Sequence, residues 1–319
     1  MSSQSSQGGG KIRVSVQKAG PLDTGEIAQT MKTIKTKFAI MSGKGGVGKS
    51  FVTASLALGF AMRGYRVGIL DADVYGPTIP KLLGLVGANL YLSEDEKIIP
   101  AEGPFGIKVV SMDFLLPTDD TAVIWRGPLV DRAIKDFLGN VRWGELDALF
   151  IDLPPGTGDA PLTIAQALAN EMTGSIIVTA PSDVSKRIVQ KAIDFSRKVK
   201  IPITGVVENM CCFYCPETGK TYYIFGKLIG KEMADKYGVP YLGMIPLDPR
   251  IGESNDLGEP FLMKYSTSDT ARAILSIVDT IIAMYKDRLE AKVEATAKKQ
   301  IKSLLRLPGE EEEENQEES

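Results

Sequence analysis

Apolar residues fall along this chain in two alternating rhythms. Short runs rich in Val, Ile, Leu and Phe occur at Phe38–Met41, Val67–Leu70, Lys108–Ser111, Ala148–Leu153, Ser175–Thr179, Ile203–Val207 and Tyr241–Ile245. Such runs suit strands covered on both faces. Between them apolar positions recur at three- and four-residue spacing, as in Leu129, Val130, Ala133, Ile134, Phe137 and Leu138, the pattern of a helix with one buried face. Regular strand–helix alternation predicts an α/β fold: a mostly parallel, doubly wound sheet with helices on both faces. Gly64 is placed to cap the helix that begins near Ser50.

The ends of the chain lack this rhythm. Residues 1–33 open on a Ser/Gln/Gly-rich stretch and show no strong period, so they are expected to form a flexible segment. Residues 34–305 then form one domain, ending in a long charged helix from Thr270 to about Leu305. Residues 306–319 form a disordered acidic tail.

The stretch Ser42–Ser50, SGKGGVGKS, stands between the first apolar run and the first helical pattern. That is the setting a phosphate-binding loop requires. Gly43, Gly45, Gly46 and Gly48 let backbone N–H groups close on phosphate oxygens, and the positive end of the following helix adds attraction. Lys49 can reach the β- and γ-phosphates and Ser50 can ligate Mg²⁺. An ordinary loop of this kind has no need of a second lysine, Lys44.

Charge and composition narrow the rest. The net charge is −3, yet seven glutamates lie in the last ten residues, so the remainder of the chain is net basic. An acidic block gives no support to nucleic-acid binding. No apolar run is long enough to span a membrane and no signal-peptide pattern opens the chain, which predicts a cytoplasmic protein. Histidine is absent, which excludes histidine triads and imidazole metal ligands. Soft-metal chemistry must therefore rest on Cys211, Cys212 and Cys215, which fall within five residues of one another.

Acids at strand ends are the remaining candidates, because ligands of doubly wound sheets bind at the carboxyl ends of strands. Asp71 and Asp73 follow Val67–Leu70, and Asp152 lies at the end of Ala148–Leu153. Asp152 and Asp71 are assigned to Mg²⁺ or its waters, and Asp73 to orienting the attacking water. The following LPPGTGD combines mobile glycines with stiff prolines, suited to reorganising around a γ-phosphate.

KGGVGKS resembles the deviant Walker A motif of the MinD, ParA and nitrogenase iron protein class. In that class the early lysine, here Lys44, reaches the phosphates of a partner subunit across a nucleotide-sandwiched dimer. Together with DADVYGPT, the run Val123–Asp159, ENM (Glu208–Met210) and IPLDPRIGES (Ile245–Ser254), it resembles the Mrp/ApbC iron–sulfur cluster carrier ATPases, over about Thr36 to Pro260. The resemblance implies a dimeric P-loop ATPase that binds and hydrolyses ATP with Mg²⁺. It also implies a labile 4Fe–4S cluster bridging two subunits and handed to apo-proteins. On this reading Gly43 to Phe51, including Val47, cradle the nucleotide, with Lys44, Lys49 and Asp73 catalytic. Asn209 recognises adenine, with Pro246 and Asp248 beside it.

The cysteines depart from the family pattern. Where members carry CPxC, this chain reads Cys215-Pro216-Glu217-Thr218, so Thr218 replaces the second thiol. Cys212 precedes Cys215 by three residues and restores a CxxC spacing upstream, making Cys212 and Cys215 the candidate ligands. Two such pairs across a two-fold axis supply the four thiolates of a cubane, or equally of a tetrahedral zinc. The alternative is a MinD- or ParA-like positioning ATPase that has lost the cluster site. It would need a membrane- or DNA-binding face, for which only the basic amphipathic stretch around Lys298–Arg306 is available.

Overall fold

The computed structural model describes residues 24–74, 76–115, 127–168, 171–215 and 217–290. In chain order the elements are α1 (Thr24–Met31), β1 (Ile34–Met41), α2 (Lys49–Met62), β2 (Val67–Asp71), α3 (Ile79–Leu82), β3 (Tyr91–Leu92), β4 (Ile98–Ile99), β5 (Ala101–Glu102) and β6 (Lys108–Ser111). They continue as α4 (Gly127–Gly139), β7 (Leu146–Asp152), α5 (Asp159–Ala167), β8 (Gly174–Thr179), α6 (Asp183–Lys198) and β9 (Ile203–Tyr214). The last are β10 (Thr221–Tyr222), α7 (Gly230–Tyr237), β11 (Tyr241–Leu247), α8 (Pro249–Leu257), α9 (Phe261–Lys264) and α10 (Asp269–Met284).

The nine-stranded sheet runs β10-β9-β8-β1-β7-β2-β6-β5, with β11 also paired to β9. Every pairing among β1, β2, β6, β7, β8, β9 and β11 is parallel; only β5 and β10 are antiparallel additions. From β1 the chain winds one way through α2 to β2, and from β7 it winds back through α5 to β8. Right-handed crossovers in opposite directions put those helices on opposite faces. The loops that matter then gather where the winding reverses, at the carboxyl ends of β1 and its neighbours.

The core is thickest around β1. Phe38 stacks on Phe150 of β7 with ring centroids 5.6 Å apart, and Phe60 of α2 meets Phe150 edge-on at 5.2 Å. α2 is apolar on nearly every side because α10 covers the face that the sheet does not, with Gly59 pressed against Val278.

All seven expected strands are present, and two are much longer than their apolar cores. β1 begins at Ile34, because Lys35 and Lys37 bury their ammonium groups on partners: Lys35 lies 2.8 Å from Asp147, and Lys37 is bonded to the Ile34 carbonyl and Glu171. β9 continues to Tyr214, seven residues past Val207.

Both chain ends differ from expectation. Residues 24–31 are not part of a flexible segment: Ile27 and Met31 are buried and α1 packs on α4. Two anchors in one short helix leave no period to read. The C-terminal helix, expected to run unbroken to about Leu305, ends at Met284. Tyr285 interrupts it, its ring 5.2 Å from that of Phe38 and its hydroxyl 2.9 Å from Thr204 Oγ1. Helix resumes at 286–290. Residues 1–23, the remainder of that helix and the acidic tail lie outside the described residues.

Candidate functional site

Strand register builds the floor of the site. Asp152 pairs with Ile40 of β1 on one side and Asp71 of β2 on the other, so both acids stand where β1 turns into the P-loop. Gly46 and Gly48 take φ of 78° and 76°, left-handed values that favour glycine, and Gly48 leads directly into α2. Gly43 is needed for a different reason. A Cβ there would fall 2.2 Å from Ile188 Cγ2 and 2.6 Å from the Ile188 carbonyl of α6.

Lys49 and Ser50 converge on one acid. Lys49 Nζ lies 2.6 Å from Asp152 Oδ2, and Ser50 Oγ donates to the same oxygen at 2.6 Å. Thr53, one helical turn on, donates to Asp152 Oδ1 at 2.6 Å. The carboxylate is fully buried and its charge is balanced by an ammonium that is itself 6% exposed. A hydroxyl and a carboxylate oxygen this close form the hard oxygen pair that Mg²⁺ selects, so the residues present fit that ion. The glycine loop at the head of α2 likewise fits the phosphates. Nothing in the sequence separated Thr53 from the other polar residues of α2.

The two acids at the end of β2 do different work. Asp73 lines the cleft, 3.7 Å from Lys49 Nζ. Asp71 stands behind it. Its carboxylate accepts from the backbone N–H groups of Asp73 and Ile79 and from Ser111 Oγ. Burial, and then the neighbouring Asp152 charge, push its pKa well above the usual carboxylate range. These bonds shape the loop that presents Asp73. Like Asp152, Asp71 lies beneath the residues that line the cleft.

The cleft is a cavity of about 370 Å³ running from Ser42 to α3 and α8. Lys44, half-buried, lines it, and among the described residues its ammonium has no ion-pair partner. The far wall is made by Thr78, Lys81, Asn255 and Asp256, with Lys81 and Asp256 3.7 Å apart. Of this wall only Thr78 falls in a motif quoted above, DADVYGPT; Lys81, Asn255 and Asp256 carry no such mark, and folding alone brings α8 beside α3.

The residues assigned to adenine are placed as follows. Asn209 is 3% exposed and donates Nδ2 to the Val47 carbonyl at 2.9 Å, directly under the P-loop. Asp248 caps α8, accepting from the Arg250 N–H and pairing with its guanidinium at 2.7 Å. Burial would raise its pKa, but these bonds outweigh that and hold it low. Pro246 is buried within β11. Neither Pro246 nor Asp248 lines the cavity.

The cysteines lie at the far end of β9. Cys211 and Cys212 are buried with Sγ atoms 3.0 Å apart, and burial followed by the bond to Cys212 drives the Cys211 thiol strongly upward. Tyr214, also bonded to Cys212, is pushed up to about 12. Cys215 opens the tight turn to β10, its N–H bonded to the Lys220 carbonyl and its carbonyl to the Gly219 N–H. The Thr218 hydroxyl and the N–H groups of Thr218 and Glu217 lower its pKa and favour thiolate. So Thr218 supports the Cys215 thiolate. Among the described residues no group of three or more potential ligands comes together in one chain.

Residues 33–282 match the ParA family model described as NUBPL iron-transfer P-loop NTPase. The chain belongs to that family. Nucleotide hydrolysis is the family's general chemistry. An iron–sulfur cluster carrier protein of Saccharolobus solfataricus is 55% identical over 257 residues, covering 81% of this chain and 86% of the relative. A protein of the same description from Aquifex aeolicus is 46% identical, covering 80% and 70%. Among solved structures, a nucleotide-binding protein of Archaeoglobus fulgidus in complex with ADP, with cobalt found, is 41% identical with a TM-score of 0.69. It covers 78% of this chain and 96% of that one. MinD of Aquifex aeolicus, 19% identical with a TM-score of 0.56 over 78% and 97%, shares the fold. Among the described residues no helix is long and apolar enough to cross a membrane.

Proposed function

We propose that this chain is an ATP-hydrolysing iron–sulfur cluster carrier that works as a cytoplasmic homodimer and delivers a 4Fe–4S cluster to apo-proteins. The observation that carries the reading is β9. The strand that supports the P-loop through Asn209 carries Cys211 and Cys212 and runs directly into Cys215, the thiol held as a favoured thiolate. The naming of the relatives as cluster carriers supports the same cargo.

In this reading Lys49 leaves Asp152 for the phosphates, freeing the Asp152 and Ser50 oxygens for Mg²⁺. Asp73 orients the attacking water. Lys44, on the cleft rim, reaches the phosphates of the second copy, where it offsets transition-state charge as an arginine finger does. Asn209 keeps the base against the loop it braces. Cys212 and Cys215 of both copies hold the cluster as cargo, and the missing third and fourth ligands of each chain are those of its partner.

Anaerobic reconstitution with ferrous iron and sulfide tests this on the wild type and on Cys212→Ser/Cys215→Ser. The expected result is about four irons per dimer with visible absorbance, lost in the double variant. Equal weak iron uptake by both proteins overturns the assignment, and zinc retained without visible absorbance would make the site a structural one.

A further inference from the structure

Strand β9 meets the P-loop at a single rigid unit. The peptide between Val47 and Gly48 is planar and trans, so its N–H points away from its carbonyl. Its carbonyl is turned onto Asn209 Nδ2. Its N–H, carried by Gly48, therefore faces the opposite side, where Gly48 lines the cavity. There is no slack in this contact: a Cβ on Gly48 would fall 2.2 Å from Asn209 Nδ2 and 3.5 Å from Met210 Cε.

Immediately beyond Asn209 the strand leaves its ladder. Ile245 of β11 pairs with Asn209 and Leu247 with Phe213, so Met210, Cys211 and Cys212 stand opposite Pro246 alone. Proline has no N–H to give, which removes the donor that would keep the ladder closed. Met210 takes φ of 56°, the left-handed region that an unbranched side chain occupies only when its surroundings impose it. The bulge also breaks strand alternation. Consecutive side chains that would point to opposite faces instead bring the Cys211 and Cys212 sulfurs within 3.0 Å.

We propose that Met210 is a positioning residue that couples phosphate occupancy of the P-loop to the Cys211–Cys212 thiols. The inference rests on the reading of the loop as a nucleotide site and of Cys212 as a cargo ligand. A phosphate accepting from the Gly48 N–H polarises the peptide and strengthens its carbonyl bond to Asn209. That holds Met210 in its left-handed conformation and the two thiols together and buried. Release of phosphate loosens the same bond, and Met210 relaxes toward extended backbone and swings Cys212 outward.

Alkylation of each cysteine, followed by mass spectrometry on the full chain with and without ADP and Mg²⁺, tests this beside calorimetric ADP binding. In the wild type, ADP is expected to slow Cys211 and Cys212 labelling several-fold. Met210→Gly, which accepts a positive φ freely and lacks the methyl over Gly48, should bind ADP as before with the labelling ratio reduced to one. Met210→Leu should restore the ratio. A wild-type ratio of one despite ADP binding overturns the coupling, as does an unchanged ratio in Met210→Gly. Weakened ADP binding by Met210→Gly would make Met210 a binding residue and overturn its positioning role. Absence of ADP binding by the wild type would overturn the nucleotide reading itself, and the coupling with it.

Discussion

Asp152 is fully buried, so its charge depends on its protein partners. Its two oxygens take Lys49, Ser50 and Thr53, and the balance of charge depends on an ammonium with almost no exposure. Such a pair contributes geometry more than net stability, but removing one member strands the other. Thr218 is the more informative residue at this scale. Its hydroxyl and N–H steady the thiolate of Cys215. Thr218→Val removes the hydroxyl donor and leaves the backbone ones. The pH profile of Cys215 alkylation is expected to move to higher pH, with slower labelling near neutrality. An unshifted profile would mean that the backbone N–H groups alone set this thiol.

Among the elements, β9 and the loop after β1 decide how the site is held. Gly43 is a contact residue between the loop and α6. Gly43→Ala forces a methyl into Ile188 and its backbone, with an expected cost of about 1–3 kcal/mol in denaturant unfolding. A variant as stable as the wild type would show that α6 yields easily. The other end of β1 is pinned by Asp147 of β7, which lies 2.8 Å from Lys35 and accepts from Arg66 through its backbone N–H and its guanidinium. Burial alone would raise the Asp147 pKa, but the hydrogen bonds from Arg66 and Lys35 outweigh it and hold it below the usual carboxylate range. A depressed folded-state pKa gives stability that is present above the unfolded value and lost as pH falls through the folded one. Asp147→Asn should therefore be less stable than the wild type near neutrality, and the gap should narrow in acid below the ordinary carboxylate range. Urea midpoints taken across that range check the sign, and parallel curves would contradict it.

For the whole molecule the question is what a second copy adds. Each chain brings the thiols at the end of one strand, with no group of three or more potential metal ligands among the described residues, and a Lys44 with no ion-pair partner among them. In the proposed homodimer a partner related by two-fold symmetry would complete both. Lys44→Ala is expected to leave ADP affinity unchanged and to lower kcat on the order of 10²–10³-fold, the scale of one lost transition-state donor. ATP-dependent dimerisation, followed by sedimentation, should weaken in parallel. Wild-type turnover in the variant would reduce Lys44 to a loop lysine.

The P-loop, the strand-end acids and the seven apolar strands were legible in the sequence because each is fixed by neighbours along the chain. A glycine loop needs its own glycines, and a strand covered on both faces must be apolar. Lys35 and Lys37 hid the start of β1, since a buried lysine reads as exposed until its carboxylate partner is known. Folding alone decided the rest. It set Asp71 behind Asp73 by giving its oxygens to the N–H groups of Asp73 and Ile79 and to the Ser111 hydroxyl. It raised a cleft wall from α3 and α8, far apart in the chain. It also turned Asn209 under the P-loop and, opposite a proline that cannot donate, bulged β9 so that adjacent cysteines share one pocket. These are choices of partner, and a sequence does not name partners that lie far along the chain.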